Sequence, residues 1–491
     1  MMRLLVLVLA GLLACAAIWQ LEAQRAGLDI STRSVGDTPV TRHAQPGADG
    51  PVVVVAHGFA GSRQMMQAYA QDLARAGYRV WSFDFEGHGR HPRPMSGDVE
   101  SLDGTTRMLV EQTRAVVEAA KDREGWDGAV ALLGHSMATD IIIRTALAEP
   151  RVGPLVAISA FSQAVTGTEP QNLLLISGAW EPGLRGFARD AVAMVDAGAG
   201  EGETVRADGV VRRAVVAPLA EHVAVLHSRA GRAEAVAWLD AAYERQSDVA
   251  IRATGPWLMA LMFSIVALAW PLARLLPDRA PSAADPLRAG RFALVVLVPA
   301  VLAPLLAVQV DTSVLPVLVA DYLALHLAVY GALQLAILWW LGRHPGRLHP
   351  IAILALLVWG LGVFGLALDR YGANFWPTPE RMAIIAALAL GALPFMLADA
   401  VLTRAAPLWQ RLTARIVFLM SLAIAVLLDT ERLFFLAMIG PVILLFFLIY
   451  GLMGRWAAVR AGAASAGVAL GLILAWALGV SFPLFATGGT G

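Results

Sequence analysis

Val130-Ala131-Leu132-Leu133-Gly134-His135-Ser136-Met137-Ala138 is the stretch that decides the reading of this chain. Its apolar opening predicts a buried strand, Gly134 allows a sharp reversal, and a helix-forming segment begins near Met137. A strand, a tight turn carrying a serine and a helix lift a hydroxyl above the carboxyl end of a sheet. The first N–H groups of the helix then point at whatever the hydroxyl attacks. The pattern is Gly-x-Ser-x-Gly with Ala138 in the last place, where little bulk is tolerated. Taken alone, the pentapeptide equally fits a serine capping a helix, so the decision passes to its surroundings.

At 491 residues the chain is too long for one ordinary domain, and 57% hydrophobic with 15% charged is too apolar for a wholly soluble one. Part of it belongs in a membrane. A formal charge of zero without a basic run argues against a nucleic-acid partner. The single cysteine, Cys15, excludes an internal disulfide and a Cys-based zinc site. It closes Leu12-Leu13-Ala14-Cys15, which resembles a lipoprotein processing site, yet the apolar run continues through Ala16, Ala17, Ile18 and Trp19 as in an uncleaved anchor.

Residues 1–21 are therefore expected to form a signal-anchor helix, with Arg3 holding the N-terminus in the cytoplasm and the following chain delivered outside. Residues 22–252 read as a soluble domain. Ile30 to Ser34 and Pro39 to His43 predict a hairpin. Strands are predicted at Val52 to Ala56, Arg79 to Phe83, Ala129 to Leu133, Leu155 to Ser159, Leu173 to Ser177 and Val210 to Ala217. Helical patterns lie near 63–76, 105–122, after Ser136, and 230–243. Such alternation predicts a mostly parallel sheet with helices on both faces.

Residues 253–491 change character. Apolar runs near 257–276, 292–308, 314–341, 350–368, 380–402, 416–428, 433–451 and 464–485 predict eight spans, the 416–428 run being short enough for a half-span or a tilted partner of the next. Arg274, Arg279, Arg288 and Arg291, then Arg343 and Arg347, then Arg404, Arg411 and Arg415, then Arg455 and Arg460 mark alternate loops as cytoplasmic. The intervening turns, with Asp311, Asp369, Arg370, Asp429, Glu431 and Arg432, then face outward. This puts residues 22–252 outside a bacterial cytoplasmic membrane, in agreement with the first helix.

Four motifs in the first half, taken in order, resemble the α/β-hydrolase superfamily. His57-Gly58-Phe59-Ala60-Gly61-Ser62 after the first parallel strand looks like its oxyanion loop, and Asp84-Phe85-Glu86-Gly87-His88-Gly89 like its Asp-x-x-Gly-His-Gly turn. Gly134-His135-Ser136-Met137-Ala138 looks like the nucleophile elbow. Leu173 to Gly178 followed by Ala179-Trp180-Glu181, and Ala217 to His222 followed by a helix, look like the acid and histidine loops. The resemblance implies Ser136 as nucleophile, His222 as general base and Glu181 as its orienting acid, with the Phe59 and Met137 backbone N–H groups as the oxyanion hole. His227, five residues after His222, is the rival base, expected in the following helix; Asp190 and Asp196 are rival acids. His57 and His88 read as loop-shaping hydrogen-bonders. Neither a metal site nor a cofactor is expected.

The fold expected is thus an α/β hydrolase plus an all-α transmembrane domain. About a dozen residues separate Ser159 from Leu173, where many relatives insert a cap, so no large lid is expected. The function implied is a membrane-anchored serine hydrolase acting on a small-molecule or lipid-like acyl substrate. An acyltransferase that passes the same acyl group to an alcohol or amine is the alternative, as is a transporter or sensor with a ligand-binding hydrolase-like domain. Within the spans, His326 with Asp321 and Tyr322, and Asp399, fit either an ion pathway or satisfied interhelical hydrogen bonds.

Overall fold

The computed structural model describes residues 1–99, 101–280, 285–312 and 314–486. The sequence reads as a short Pro- and Ala-containing loop over 277–289, which lies partly outside these. Two compact units emerge. Among the described residues, one holds those of 16–260 with Asp369–Asn374 and 483–486; the other holds those of 1–15, 261–368 and 375–482.

Nine strands build a single sheet in the first of these units: β1 (Asp29–Val35), β2 (Thr38–Ala44), β3 (Val52–Ala56), β4 (Arg79–Phe83), β5 (Val130–His135), β6 (Val152–Ile158), β7 (Asn172–Gly178), β8 (Thr204–Ala207) and β9 (Val210–Ala217). Their order is β1-β2-β4-β3-β5-β6-β7-β9-β8. The pairs from β4 through β9 are parallel, and the flanking hairpins pair antiparallel.

The central strands are unbroken apolar runs because both faces are covered. Alternate residues serve opposite layers. Val52, Val54, Trp81, Phe83 and Leu132 share a core with α3 (Arg107–Glu124), α4 (Met137–Ala148) and α5 (Pro182–Ala193) through Leu109, Val116, Ile142 and Ala191. Val53, Val55, Val80, Ala131 and Leu133 face α2 (Gln67–Arg75) and α6 (Arg229–Ala242) through Ala70, Leu73, Ala235 and Leu239. No helix stands between β6 and β7 among the described residues, as the spacing predicts.

Two elements went unread in the sequence. β8 is a four-residue edge strand with only Val205 buried, joined to β9 by Asp208 and Gly209, both at positive φ. α5 starts on Pro182, whose fixed φ suits the first helical turn.

Nine helices among the described residues are long and apolar enough to cross a membrane: α1 (Met2–Arg25), Gly255–Leu275, Ala289–Ala307, Ala320–Trp340, Pro350–Tyr371, Pro379–Thr403, Leu408–Leu428, Thr430–Ala461 and Ala463–Ser481. The short run expected at 416–428 is a full 21-residue helix. Its first two turns carry Gln410, Arg411, Thr413 and Arg415, which hid it from an apolar window. In the helical unit, Pro379–Thr403 packs on Ala463–Ser481 and on Ala320–Trp340. Small residues permit this approach: side chains at Gly467 and Gly471 would meet the backbone at Leu397 and Leu393. His326 has one ring nitrogen 3.3 Å from the Tyr322 hydroxyl and the other 3.1 Å from that of Ser421. Both nitrogens have partners, which favours the interhelical-bond reading. Asp321 instead accepts the Val314 and Leu315 backbone N–H groups.

Candidate active site

Every candidate side chain sits just past the carboxyl end of a parallel strand, the edge at which such sheets present ligands. Ser136 follows β5 and caps α4 with φ 56° and ψ −121°, a conformation that a non-glycine residue keeps only when its surroundings impose it. The surroundings are tight. A side chain at Gly134 would lie 2.9 Å from the Ala138 carbonyl oxygen, so the strand and helix can close only around glycine. Ala138 itself is fully buried, which accounts for a small residue in the fifth place.

The structure brings Ser136, His222 and Glu181 together. The His222 ring lies with Nε2 2.9 Å from Ser136 Oγ and Nδ1 2.5 Å from Glu181 Oε1. Glu181 is buried, which alone would raise its pKa. Hydrogen bonds from His222, from the Gly178 N–H at 2.6 Å and from the Ser159 hydroxyl at 2.8 Å outweigh that and hold it below the ordinary carboxylate value. An ionised carboxylate only accepts, so the proton of the neutral imidazole sits on Nδ1 and Nε2 is left to accept from the Ser136 hydroxyl.

The rivals lie elsewhere. His227 ends a short 3-10 turn rather than lying inside α6, and its Nδ1 is 3.0 Å from the Thr254 hydroxyl. Asp190 is exposed on α5, and Asp196 is exposed and accepts the Gly198 N–H.

Two supporting residues were missed. Ser159, with φ 52° at the end of β6, holds the second oxygen of Glu181. His135 is buried and donates through Nε2 to the His222 carbonyl at 2.8 Å. Burial, followed by the proximity of His222, lowers its pKa to about 4, so it serves as a neutral donor. Their positions at strand ends were the only signal available, and a buried serine or histidine there has many ordinary uses.

Phe59 lies in the loop after β3, and Met137 opens α4. Gly58 brings that loop against the serine: a side chain there would lie 2.9 Å from Ser136 Cβ. His57 shapes the loop by donating from Nδ1 to the Gly58 carbonyl at 2.8 Å while Nε2 accepts the Phe85 N–H. His88 pairs Nδ1 with the Glu86 carbonyl at 2.9 Å. Asp84, fully buried, ties the two loops together by accepting the Arg63 and Arg90 backbone N–H groups at 2.8 and 2.9 Å and pairing with the Arg63 guanidinium. No group of three or more His, Cys, Asp or Glu side chains suited to a metal occurs among the described residues.

Residues 48–182 match the family described as serine aminopeptidase, S33. Similar solved structures include a CIB-like hydrolase of Thermoplasma acidophilum (16% identity, 43% of this chain and 97% of that one, TM-score 0.34). A dienelactone hydrolase of Anabaena variabilis is 18% identical over 44% of this chain and 97% of its own, with a TM-score of 0.33. An epoxide hydrolase of Vigna radiata is 23% identical over 27% of this chain and 41% of its own, with a TM-score of 0.22. No curated protein sequence matches the chain.

Proposed function

We propose that this α/β hydrolase, similar over residues 48–182 to the serine aminopeptidase S33 family, is a membrane-anchored serine hydrolase that cleaves a carboxylic ester or related acyl substrate. The observation that carries the reading is the unbroken relay from Glu181 through His222 to a serine on a strained strand-to-helix turn. In the reaction, Ser136 Oγ attacks the acyl carbonyl while His222 Nε2 takes its proton. Negative charge on the carbonyl oxygen is met by the N–H groups of Phe59 and Met137, the latter at the positive end of α4. Collapse expels the alcohol, which takes the proton from His222. Water then enters by the same route in reverse, releasing the acid and restoring Ser136.

The absence of an inserted helix between β6 and β7 among the described residues supports a bulky or amphiphilic substrate. So do the exposed apolar side chains that adjoin the site residues in the chain: Trp180 beside Glu181, and Leu219 and Val223 near His222. Arginine-rich and arginine-poor turns alternate, which supports a bacterial cytoplasmic membrane with the hydrolase outside.

A charged, membrane-impermeant fluorophosphonate applied to intact cells tests chemistry and side at once. Wild type should label from outside, and Ser136→Ala and His222→Ala should not. Unlabelled wild type in opened membranes would sink the enzyme reading, and labelling only after the membrane is opened would reverse the orientation. p-Nitrophenyl esters against aminoacyl p-nitroanilides then separate an esterase from an aminopeptidase.

A further inference from the structure

The compact unit that holds the sheet also takes in two segments from far along the chain, Asp369–Asn374 and the stretch beginning at Pro483. They attach to the loop beside the serine and to the turn that Asp84 ties to it. Leu484 donates its N–H to the Gly87 carbonyl at 2.8 Å and accepts the Met95 N–H at 2.9 Å, and Ala486 donates to the Met95 carbonyl at 2.7 Å. Met95 and Phe485 thereby pair as a parallel bridge. Gly87, at φ +75°, makes this possible, since a side chain there would collide with the Leu484 carbonyl oxygen. Leu484 and Phe485 are both buried. The Phe485 ring lies 6.5 Å from that of Phe59, which also lies 5.6 Å from the His88 ring.

The second segment grips the far ends of the same loops. The Asn374 N–H donates to Ser62 Oγ at 3.0 Å, closing the 57–62 loop. Arg90, which ends the 84–90 turn, donates from Nε to Asn374 Oδ1 at 2.9 Å and from Nη2 to both Asp369 carboxylate oxygens at 2.8 and 2.6 Å. Loop 57–62 is held at Phe59 by one segment and at Ser62 by the other, with Asp84 binding Arg63 directly after it. A loop whose backbone N–H must meet an oxyanion within a few tenths of an ångström requires such support.

We infer that Phe485 and Asn374 are positioning residues of the hydrolase, holding loop 57–62 so that the Phe59 N–H faces the oxyanion. The inference rests on the serine-hydrolase reading above. The catalytic unit is then assembled from three separated stretches, and residues 22–252 alone lack part of its frame.

The test uses the full-length chain carrying Phe485→Ala, Phe485→Leu, Leu484→Pro, Asn374→Ala or Asn374→Pro, with p-nitrophenyl butyrate as substrate. Asn374→Pro, which lacks the N–H that binds Ser62 Oγ, should lower kcat about tenfold, and Asn374→Ala, which keeps that N–H and loses the Arg90 contact, should lose less. Phe485→Ala and Leu484→Pro, the latter lacking the N–H that binds Gly87, should lower kcat about tenfold or more with KM within about twofold, as for loss of a transition-state contact. Phe485→Leu should recover most of the loss, and Phe59→Ala combined with Phe485→Ala should be no worse than the poorer single variant. Amide exchange gives a readout independent of turnover: residues 57–62 should lose protection in Phe485→Ala while β5 to β7 keep theirs. Unchanged kcat, additive losses, or exchange rising uniformly through the sheet would each overturn the positioning role. Wild type that neither turns over nor labels would overturn the serine-hydrolase reading instead, with exchange still deciding whether the segments hold the loop.

Discussion

Glu181 places one oxygen 2.5 Å from His222 Nδ1, and its other oxygen accepts from the Gly178 N–H and the Ser159 hydroxyl. The carboxylate is therefore fixed at both ends, and the tautomer of His222 with it. Glu181→Gln keeps the shape and removes the charge, and a neutral amide that turns its NH2 towards Nδ1 favours the wrong tautomer. On the proposed serine-hydrolase reading kcat should fall roughly 10⁴-fold, as for the Asp-to-Asn change in a serine-protease triad. Ser159→Ala is subtler. Losing one donor to the charged carboxylate costs about 1.5 kcal/mol, roughly tenfold in kcat/KM. It also raises the Glu181 pKa, because hydrogen bonds favour the charged form. The acid side of the pH profile should then begin to fall at a higher pH than in wild type. A tenfold loss with an unmoved profile would mean that Ser159 supports only the backbone.

At the scale of elements, glycines separate those that the site needs from those it does not. Gly134→Ala puts a methyl group 2.9 Å from the Ala138 carbonyl and 3.1 Å from Ile142 Cδ1, where β5 meets α4. Overpacking there should cost about 1–3 kcal/mol and slow labelling of Ser136. Gly186, inside α5, has nothing within 4 Å of the same position, so Gly186→Ala should stabilise by about 0.5–1 kcal/mol. Thermal unfolding of the two variants checks both signs. The same physics explains what the sequence disclosed. Parallel strands buried on both faces are continuous apolar runs, so β3 to β7 could be read directly, and with them Ser136 and Glu181 just past two of their ends, though not His135 and Ser159. β8 could not, because an edge strand with one buried side chain has almost no pattern, although Asp208-Gly209 is a hairpin signal. Nor could the attachment of Asp369–Asn374 and Leu484–Phe485 to the hydrolase loops, since a contact across hundreds of residues leaves no local trace.

For the hydrolase as a whole, buried histidines set the response to acid. Burial lowers the pKa of His43 to about 3 and of His135 and His227 to about 4, and shifts His57 and His91 in the same direction. In the unfolded chain each returns to an ordinary value near 6.5. Between these limits the unfolded state binds more protons, so the stabilisation is complete above about pH 6.5 and is lost as pH falls towards the folded values. Each such group contributes a slope of up to about 1.4 kcal/mol per pH unit. Asp72 opposes them. Burial pushes its pKa up to about 6 despite the Arg232 guanidinium 2.6 Å away, so its contribution is greatest at low pH and is lost as pH rises through 6. With five histidines against Asp72 and Glu86, whose pKa burial also raises, the histidines prevail between about pH 6.5 and 4.5. The full-length protein in detergent should therefore lose its labelling competence at progressively lower temperatures across that window. His227→Asn, which keeps a side-chain partner for Thr254 and removes one titrating group outside the site, should flatten the slope. A midpoint independent of pH over this range, or an unchanged slope in His227→Asn, would mean that these histidines stay accessible to protons in the folded state.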